Sequence, residues 1–280
     1  MGGAKVSRGT MSISNSMPSK IATLTTDFGL KDPYVAEMKA AILSICPNSA
    51  IVDITHEIAK FNVRVGAYML ASAEPYFPKG SVHVAVVDPG VGTQRRPILI
   101  QTKQGFFVGP DNGILVLGAE KQGITCIHEL ANPKFMLPKV SNTFHGRDIF
   151  APAAAYLLNG VKPEEFGPKI SEAVKPEFAK VTLKNGVVVG EVLHVDGFGN
   201  IITNINEKEA AQNHLKGTVI VELQNYKLKL RFCNAYGETK PREPLALIGS
   251  HGFLEIALKQ SSAAEKFKTK LGDRVTISPA

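Results

Sequence analysis

Ile21-Ala-Thr-Leu-Thr25-Thr-Asp27-Phe-Gly-Leu-Lys-Asp32-Pro-Tyr34-Val35 is the stretch from which the fold is read. Its first five residues are apolar or β-branched and predict a buried strand. Asp32-Pro33 then predicts a helix start, because Asp is a good N-cap and Pro suits the first helical turn. Val35, Met38, Ile42 and Ile45 recur on one helical face, and Pro47-Asn48 stops the pattern. Working outward, residues 50–54 predict a second strand. Residues 62–77 predict a helix with Val65, Met69 and Leu70 inward. Residues 81–87 predict a third strand, nearly all apolar, as in a strand covered on both faces. Residues 98–101 and 106–108 read as further strands. Residues 148–158 read as a helix whose first turns Pro152 disturbs. Alternation of this kind predicts an α/β domain with a largely parallel sheet and a ligand site at the carboxyl ends of its strands.

The pattern changes after residue 165. Pro163, Pro168 and Pro176 punctuate a connecting segment. Short β runs follow at 180–183, 187–195, 218–223, 228–233, 245–248, 254–258 and 274–277, with one helical period at 207–215. Asn185-Gly186 is a strong hairpin signal. The expected organisation is a disordered tail at 1–20, an N-terminal α/β domain at 21–165, a linker at 166–178 and a C-terminal domain at 179–280. That last unit reads as a smaller, mostly antiparallel, barrel-like β domain.

Composition narrows the function classes. The chain has 280 residues, 44% hydrophobic and 20% charged, within the range of an ordinary globular protein. No apolar run reaches the length of a membrane span. The formal charge is +7, of which Lys5, Arg8 and Lys20 lie in an acid-free tail. With no basic run of five, nucleic acid is not an expected partner. A mildly basic balance is weak support for anionic ligands. Cys46, Cys126 and Cys233 are scattered and form no CxxC pair, which argues against a disulfide framework or a zinc site. They suit a reducing compartment, and a cytoplasmic location is expected.

Four segments carry chemistry. Asp27 ends the first strand and can accept hydrogen bonds from a diol; Asp32 either meets a cation or caps the helix. Asp88-Pro-Gly-Val-Gly-Thr-Gln-Arg95 breaks the third strand in a tight glycine turn and supplies an acid and a guanidinium. Thr143-Phe144-His145-Gly-Arg-Asp148 places an imidazole in a loop, with Asp148 a helical residue or a partner of Arg147. Asp196-Gly-Phe198-Gly-Asn200 offers a ring to stack and an amide to read a base edge. Neither a dinucleotide fingerprint nor a P-loop is present. Gly249-Ser250-His251-Gly252 fails the nucleophile-elbow spacing, because Ile248 occupies its first glycine position; a carboxylate-binding loop is the better reading.

TTDFGLKDPYV, VVDPGVGTQRR, TFHGRDIFAP and VDGFGN, with a looser IGSHGFLEIALKQSSAA, together resemble the S-adenosylmethionine hydroxide adenosyltransferases, relatives of fluorinase and chlorinase. The resemblance spans residues 21–280. It implies hydrolysis of S-adenosyl-L-methionine to adenosine and L-methionine, with no cofactor and no metal. It implies a catalytic set of Asp88, Arg95 and His145. It places ribose on Asp27, the amino group near Asp32 and Asp196, adenine on Phe198 and Asn200, and the carboxylate on Ser250; Phe144 joins the substrate-binding residues. It further implies a homotrimer with sites between subunits. Halogenases of this kind carry Tyr, Thr and Ser where this chain has Asp88, Val91 and Gly146, and fluorinase has an extra loop after the Asp88 region. Lys259 stands where many family members have Asn. A halide adenosyltransferase and a non-catalytic S-adenosylmethionine or adenosine sensor are the alternatives. A methyltransferase would have a glycine-rich loop where Thr25-Thr26-Asp27 stands.

Overall fold

A computed structural model describes residues 20–280. Residues 1–19 of the expected tail lie outside the described residues. The first apolar run forms β1 (Ile21–Thr26), followed by α1 (Tyr34–Ile45), β2 (Ala50–Thr55), α2 (Val63–Ala73) and β3 (Val82–Val86). Next come β4 (Pro97–Thr102), β5 (Phe106–Pro110), α3 (Val116–Gln122), β6 (Ile124–Glu129), α4 (Ala151–Leu158) and the short β7 (Lys169–Ile170). They make one sheet in the order β2-β1-β3-β5-β4-β6-β7. Its first four strands are parallel, and the last three add on antiparallel. The sequence reading missed α3, β6 and β7, which are short segments without a clean period.

Both faces of the sheet are covered. Met38, Ile42 and Phe150 pack with Leu24 and Val84 on one side, where α1 and α4 lie. Leu70, Ile114 and Leu115 pack with Ile100 and Phe107 on the other, where α2 and α3 lie. Ala151, Ala153, Ala154 and Ala155 are buried, so α4 presents small side chains to its neighbours. Thr26 of β1 is in register with Val86 of β3. The chain therefore leaves two adjacent strand ends at Asp27 and, two residues past Val86, at Asp88.

One helix start differs from the sequence reading. Pro33, not Asp32, is the cap residue of α1, and no side chain caps it. The Pro33 carbonyl takes the Glu37 N–H at 2.9 Å, which leaves Asp32 one residue too early to cap. Before α4 the chain makes a π-turn at Gly146–Phe150. That turn runs directly into α4, so the helix expected at 148–158 is present with irregular first turns; Pro152 has no N–H for the Asp148 carbonyl, which takes the Leu137 N–H at 2.9 Å instead. The reading at 62–77 holds as α2, capped by the Asn62 side chain on the Val65 N–H at 3.1 Å, plus a 3-10 turn at Glu74–Tyr76.

The second unit contains β8 (Thr182–Lys184), β9 (Val187–Val195), β10 (Ile201–Asn206), α5 (Glu207–Gln212), β11 (Thr218–Leu223) and β12 (Tyr226–Phe232). It ends with β13 (Pro244–Ile248), β14 (Phe253–Leu258), α6 (Ala263–Phe267) and β15 (Arg274–Pro279). The order β9-β10-β14-β13-β12-β11-β15 returns to β9, closing a barrel, with β8 as an added hairpin strand. Pairing is antiparallel apart from β12–β13. Asn185 and Gly186 have φ of 52° and 77°, the left-handed pair that a two-residue hairpin needs. β10 escaped the sequence reading because Thr203 and Asn204 interrupt its apolar run. Both are buried, and both are satisfied by backbone: Thr203 Oγ1 donates to Leu254, while Asn204 bonds Phe178, Lys180 and Glu191.

Ala67, Tyr68 and Ala71 of α2 pack against Leu193, Ile202 and Phe253 of the barrel, and Arg64 pairs with Glu191 at 2.8 Å. One helix thus joins both units. Among the described residues no helix is long and apolar enough to cross a membrane.

His83 on β3 makes the sheet acid-sensitive. It is buried beside Phe107, bonded to Thr23 Oγ1 at 2.9 Å, and pushed by burial from 6.5 to about 4. Between those values the unfolded chain binds more protons than the folded one. Stability from this group is full above 6.5 and is lost as pH falls toward 4, by roughly 3 kcal/mol. Urea titrations across this window should show a steeper acid loss for wild type than for His83→Gln. Parallel slopes would remove His83 as the source.

Candidate active site

A cavity of about 460 Å³ lies at the carboxyl ends of β1 and β3. Asp27, Asp32, Asp88, Phe144 and His145 all line it. Asp27 is buried, and its Oδ2 accepts the Phe61 N–H at 2.8 Å. Lys60 donates to the Asp27 carbonyl. Oδ1 has no partner among the described residues, so this carboxylate is fixed on one side and open on the other. Asp32 is exposed at the cavity edge. Phe28, Tyr34 and Phe144 meet edge-to-face with centroids 5.2–5.8 Å apart and form an aromatic wall.

Asp88, Arg95 and His145 form one hydrogen-bonded chain. Arg95 Nε donates to both Asp88 oxygens at 3.0 Å, and Nη2 donates to Oδ2 at 2.5 Å. The Asp88 and Arg95 side chains are only 5% and 9% exposed. The same Nη2 lies 2.7 Å from His145 Nδ1. A guanidinium has no lone pair to offer, so Nδ1 is the acceptor and the ring proton sits on Nε2. Burial and the Arg95 charge lower the His145 pKa from 6.5. The imidazole is therefore neutral near pH 7, with an N–H donor left over. Arg95 Nη1 is buried and has no partner among the described residues.

Glycine and a buried acid hold this chain together. Gly92 has φ of 74°, and a Cβ there would lie 2.2 Å from the Asn142 carbonyl oxygen. Only glycine lets the 88–95 turn lie against the 141–145 loop. Asp148 is fully buried and takes the Arg147 guanidinium at 2.7 Å and the Ser141 N–H at 2.8 Å. Burial pushes its pKa up, but those hydrogen bonds outweigh it and hold the carboxyl below its usual range. Arg147 also bonds Glu37 at 2.7 Å and lies over the Phe144 ring.

Asp196, Phe198, Asn200 and Ser250 are elsewhere. They line a second cavity of about 1000 Å³ between α2 and the barrel, which shares no lining residue with the first. Asp196 Oδ1 accepts the Phe198 and Asn200 N–H groups at 2.9 Å, and Oδ2 accepts Asn200 Nδ2 at 2.9 Å. Asp196 therefore shapes its own loop first. Phe198 is 83% exposed, with its ring free to stack.

A family model for the SAM hydroxide adenosyltransferase N-terminal domain matches residues 22–167, and its C-terminal counterpart matches residues 190–276. The chain belongs to the SAM hydroxide adenosyltransferase family. Its similarity to the (R)-S-adenosyl-L-methionine hydrolase of Methanocaldococcus jannaschii is 40% identity, over 92% of this chain and 95% of that one. The namesake from Thermus thermophilus is 38% identical, over 90% and 97%. A fluorinase of Actinoplanes is more distant at 28%, over 93% and 98%. An uncharacterized conserved protein from Thermotoga maritima shares the fold with a TM-score of 0.82 at 39% identity, covering 92% of this chain and all of that one.

Several residues at these cavities escaped the sequence reading. Lys60 and Phe61 sit at the rim of the first cavity. Phe61 has φ of 66° and is 69% exposed, which nothing in its neighbours announces. Tyr236 and Glu255 face the second cavity, bonded at 2.5 Å. Burial raises the Glu255 pKa. One signal was available: Glu255 is a lone acid inside the apolar run of β14. Among the described residues, no three His, Cys, Asp or Glu side chains are grouped to hold a metal ion.

The Arg95 contact is testable in solution. An NMR titration should find His145 titrating below 6.5, and Arg95→Met should move it upward, because one depressing charge is gone. An unchanged midpoint would break the link between the two side chains.

Proposed function

We propose that this chain hydrolyses S-adenosyl-L-methionine to adenosine and L-methionine, using Asp88, Arg95 and His145 to hold and activate one water. The observation that carries this reading is the hydrogen-bonded Asp88–Arg95–His145 chain at the edge of a cavity that also holds Asp27. The water oxygen attacks ribose C5′ in line with the C5′–S bond, and that bond's electron pair leaves on sulfur. A sulfonium departs as a neutral thioether, so no general acid is needed there. The difficulty lies in the nucleophile. His145 Nε2–H can hydrogen-bond its oxygen, and Arg95 favours the anionic form by its charge. Asp88 accepts or orients the water's proton. Holding water and C5′ in attack geometry contributes about 7–11 kcal/mol in favourable cases.

The remaining roles follow the cavities. Asp27 takes the ribose hydroxyls on its open oxygen. Phe144 forms the aromatic wall. Asp32, free of capping duty, faces the methionine amino group, with Asp196 contributing a second negative charge. Phe198 stacks on adenine, Asn200 keeps its carbonyl oxygen for the adenine amine, and Ser250 meets the carboxylate. No cofactor or metal enters this scheme. The names of the relatives make the (R) sulfonium epimer the first substrate to try.

Water is favoured over halide by Gly146. A Cβ there would lie 3.2 Å from the Phe144 ring and 3.3 Å from the Met38 sulfur, so a serine is not accommodated without movement. The two disjoint cavities favour a homotrimer in which one subunit's first cavity meets a neighbour's second. Exposed apolar residues line both: Tyr34 and Phe61 in one, Tyr76 and Phe198 in the other.

Two outcomes are expected. In H₂¹⁸O, with or without chloride, the product should be adenosine labelled at the 5′ oxygen, and Asp88→Ala or His145→Ala should slow turnover by roughly 10²–10⁴-fold. A 5′-chloro product, or binding without product, would select the alternatives. Mixing inactive Asp88→Ala with inactive Phe198→Ala under subunit exchange should restore activity. No recovery from confirmed mixed oligomers would place each site within one chain.

A further inference from the structure

The loop Gly249–Gly252 is held from behind by the other unit. Lys121, at the end of α3, donates to the His251 carbonyl at 3.2 Å and to the Ala71 carbonyl of α2 at 3.0 Å. Its ammonium also lies 5.2 Å from the Phe253 ring centre, at the loop's exit. Tyr76 reaches the Ser250 carbonyl at 3.4 Å, and the Tyr68 hydroxyl meets His251 Nδ1 at 3.1 Å. The loop closes on itself through Gly249 N–H to Phe253 and Gly252 N–H to Gly249, both at 2.9 Å. What remains is one-sided. Among the described residues, the N–H groups of Ser250 and His251 and the Ser250 hydroxyl have no partner. Both intervening carbonyls are turned to donors of the other unit.

A peptide plane fixes its N–H opposite its C=O. Tying the Ser250 carbonyl therefore aims the His251 N–H the other way, while tying the His251 carbonyl, whose partner Gly252 N–H closes back on Gly249, pins the exit of the loop. Ser250 and His251 line the second cavity. We infer that Lys121 is a positioning residue for substrate carboxylate recognition: by tying the His251 carbonyl to α2 it holds the loop where its free donors, the Ser250 and His251 N–H groups and the Ser250 hydroxyl, meet an anionic oxygen pair. This rests on the assignment of the carboxylate to the Ser250 loop. Lys121 does not itself line either cavity and reaches the second only through the His251 carbonyl, so it acts through the loop and not on the reacting atoms. It lies at the surface, so its replacement leaves the cores intact.

The test compares S-adenosylmethionine with decarboxylated S-adenosylmethionine, on wild type, Lys121→Met and Lys121→Arg. Lys121→Met should raise KM for S-adenosylmethionine about 10-fold with kcat little changed, the signature of lost ground-state binding. Its KM for the decarboxylated substrate should match wild type. Lys121→Arg, which keeps a cationic donor, should recover most of the loss. An equal KM rise for both substrates would mean general loosening and overturn the proposal, as would no rise for either. If wild type itself does not distinguish the two substrates, the carboxylate assignment fails first, and the clamp with it. No turnover by wild type on either substrate would instead reject the hydrolase reading.

Discussion

Arg95 gives one guanidinium to two partners, and the site depends on that sharing. Its Nε and Nη2 hold Asp88, while the same Nη2 fixes His145 Nδ1 as an acceptor. A buried ion pair of this kind adds little net stability, but losing one partner leaves a buried charge uncompensated, at about 3–5 kcal/mol. The pair is thus a geometric commitment more than a stabilising one. It sets which imidazole nitrogen carries the proton and keeps the ring neutral. Everything else at this end of the sheet brings the three groups within reach: the paired ends of β1 and β3, the glycine turn, and Asp148 stapling the His145 loop.

α2 extends that commitment to the second cavity. Just before its start, Phe61 bonds Asp27; near its end, the Ala71 carbonyl meets Lys121. Its middle is buried against the barrel through Tyr68. A helix is stiff over this length, so the two cavities on one chain keep a fixed spacing. In the proposed trimer those cavities serve different sites. The stiffness then matters for how three copies fit, because each site is completed only by an accurate neighbour.

How much of this could be read from the chain alone follows physical lines. β1, β3, α1 and α2 have long apolar periods, so their presence and order were legible, as was the hairpin at Asn185-Gly186. The carboxylates at the ends of β1 and β3 were legible too, because a polar residue ending a buried strand has few structural duties. β10 was hidden, since Thr203 and Asn204 are buried by hydrogen bonds to remote backbone that no local pattern encodes. Asp32 stayed divided between a cap and a cation contact because composition cannot show that the Pro33 carbonyl closes the first turn. Phe61 and Lys60 were missed for a similar reason: their roles arise from a contact across 33 or more residues with Asp27. Composition favoured the wrong sign of ligand, since a basic chain suggests anions.

That last mismatch has a physical resolution. S-adenosylmethionine carries a sulfonium, an ammonium and a carboxylate, so it is a net cation approaching a chain of charge +7. Net charge acts at long range, and at physiological salt it is screened beyond about 8 Å. Within that distance the local groups decide. The first cavity is lined by Asp27, Asp32, Glu37 and Asp88 against Lys60 and Arg147, and the second by Asp196 and Glu255 with no lysine or arginine. Much of the cationic charge there is already committed: Lys60 to a carbonyl, Arg147 to Glu37 and Asp148, Arg95 to Asp88. What a ligand meets is a carboxylate-lined surface within an otherwise basic protein. A cation is drawn in over the last few ångströms by uncommitted oxygens such as Asp27 Oδ1 and Asp32. The neutral thioether product loses the sulfonium part of that attraction as soon as the C5′–S bond breaks. The electrostatics that hold the substrate are thus weakened by the reaction itself, which favours release of the product.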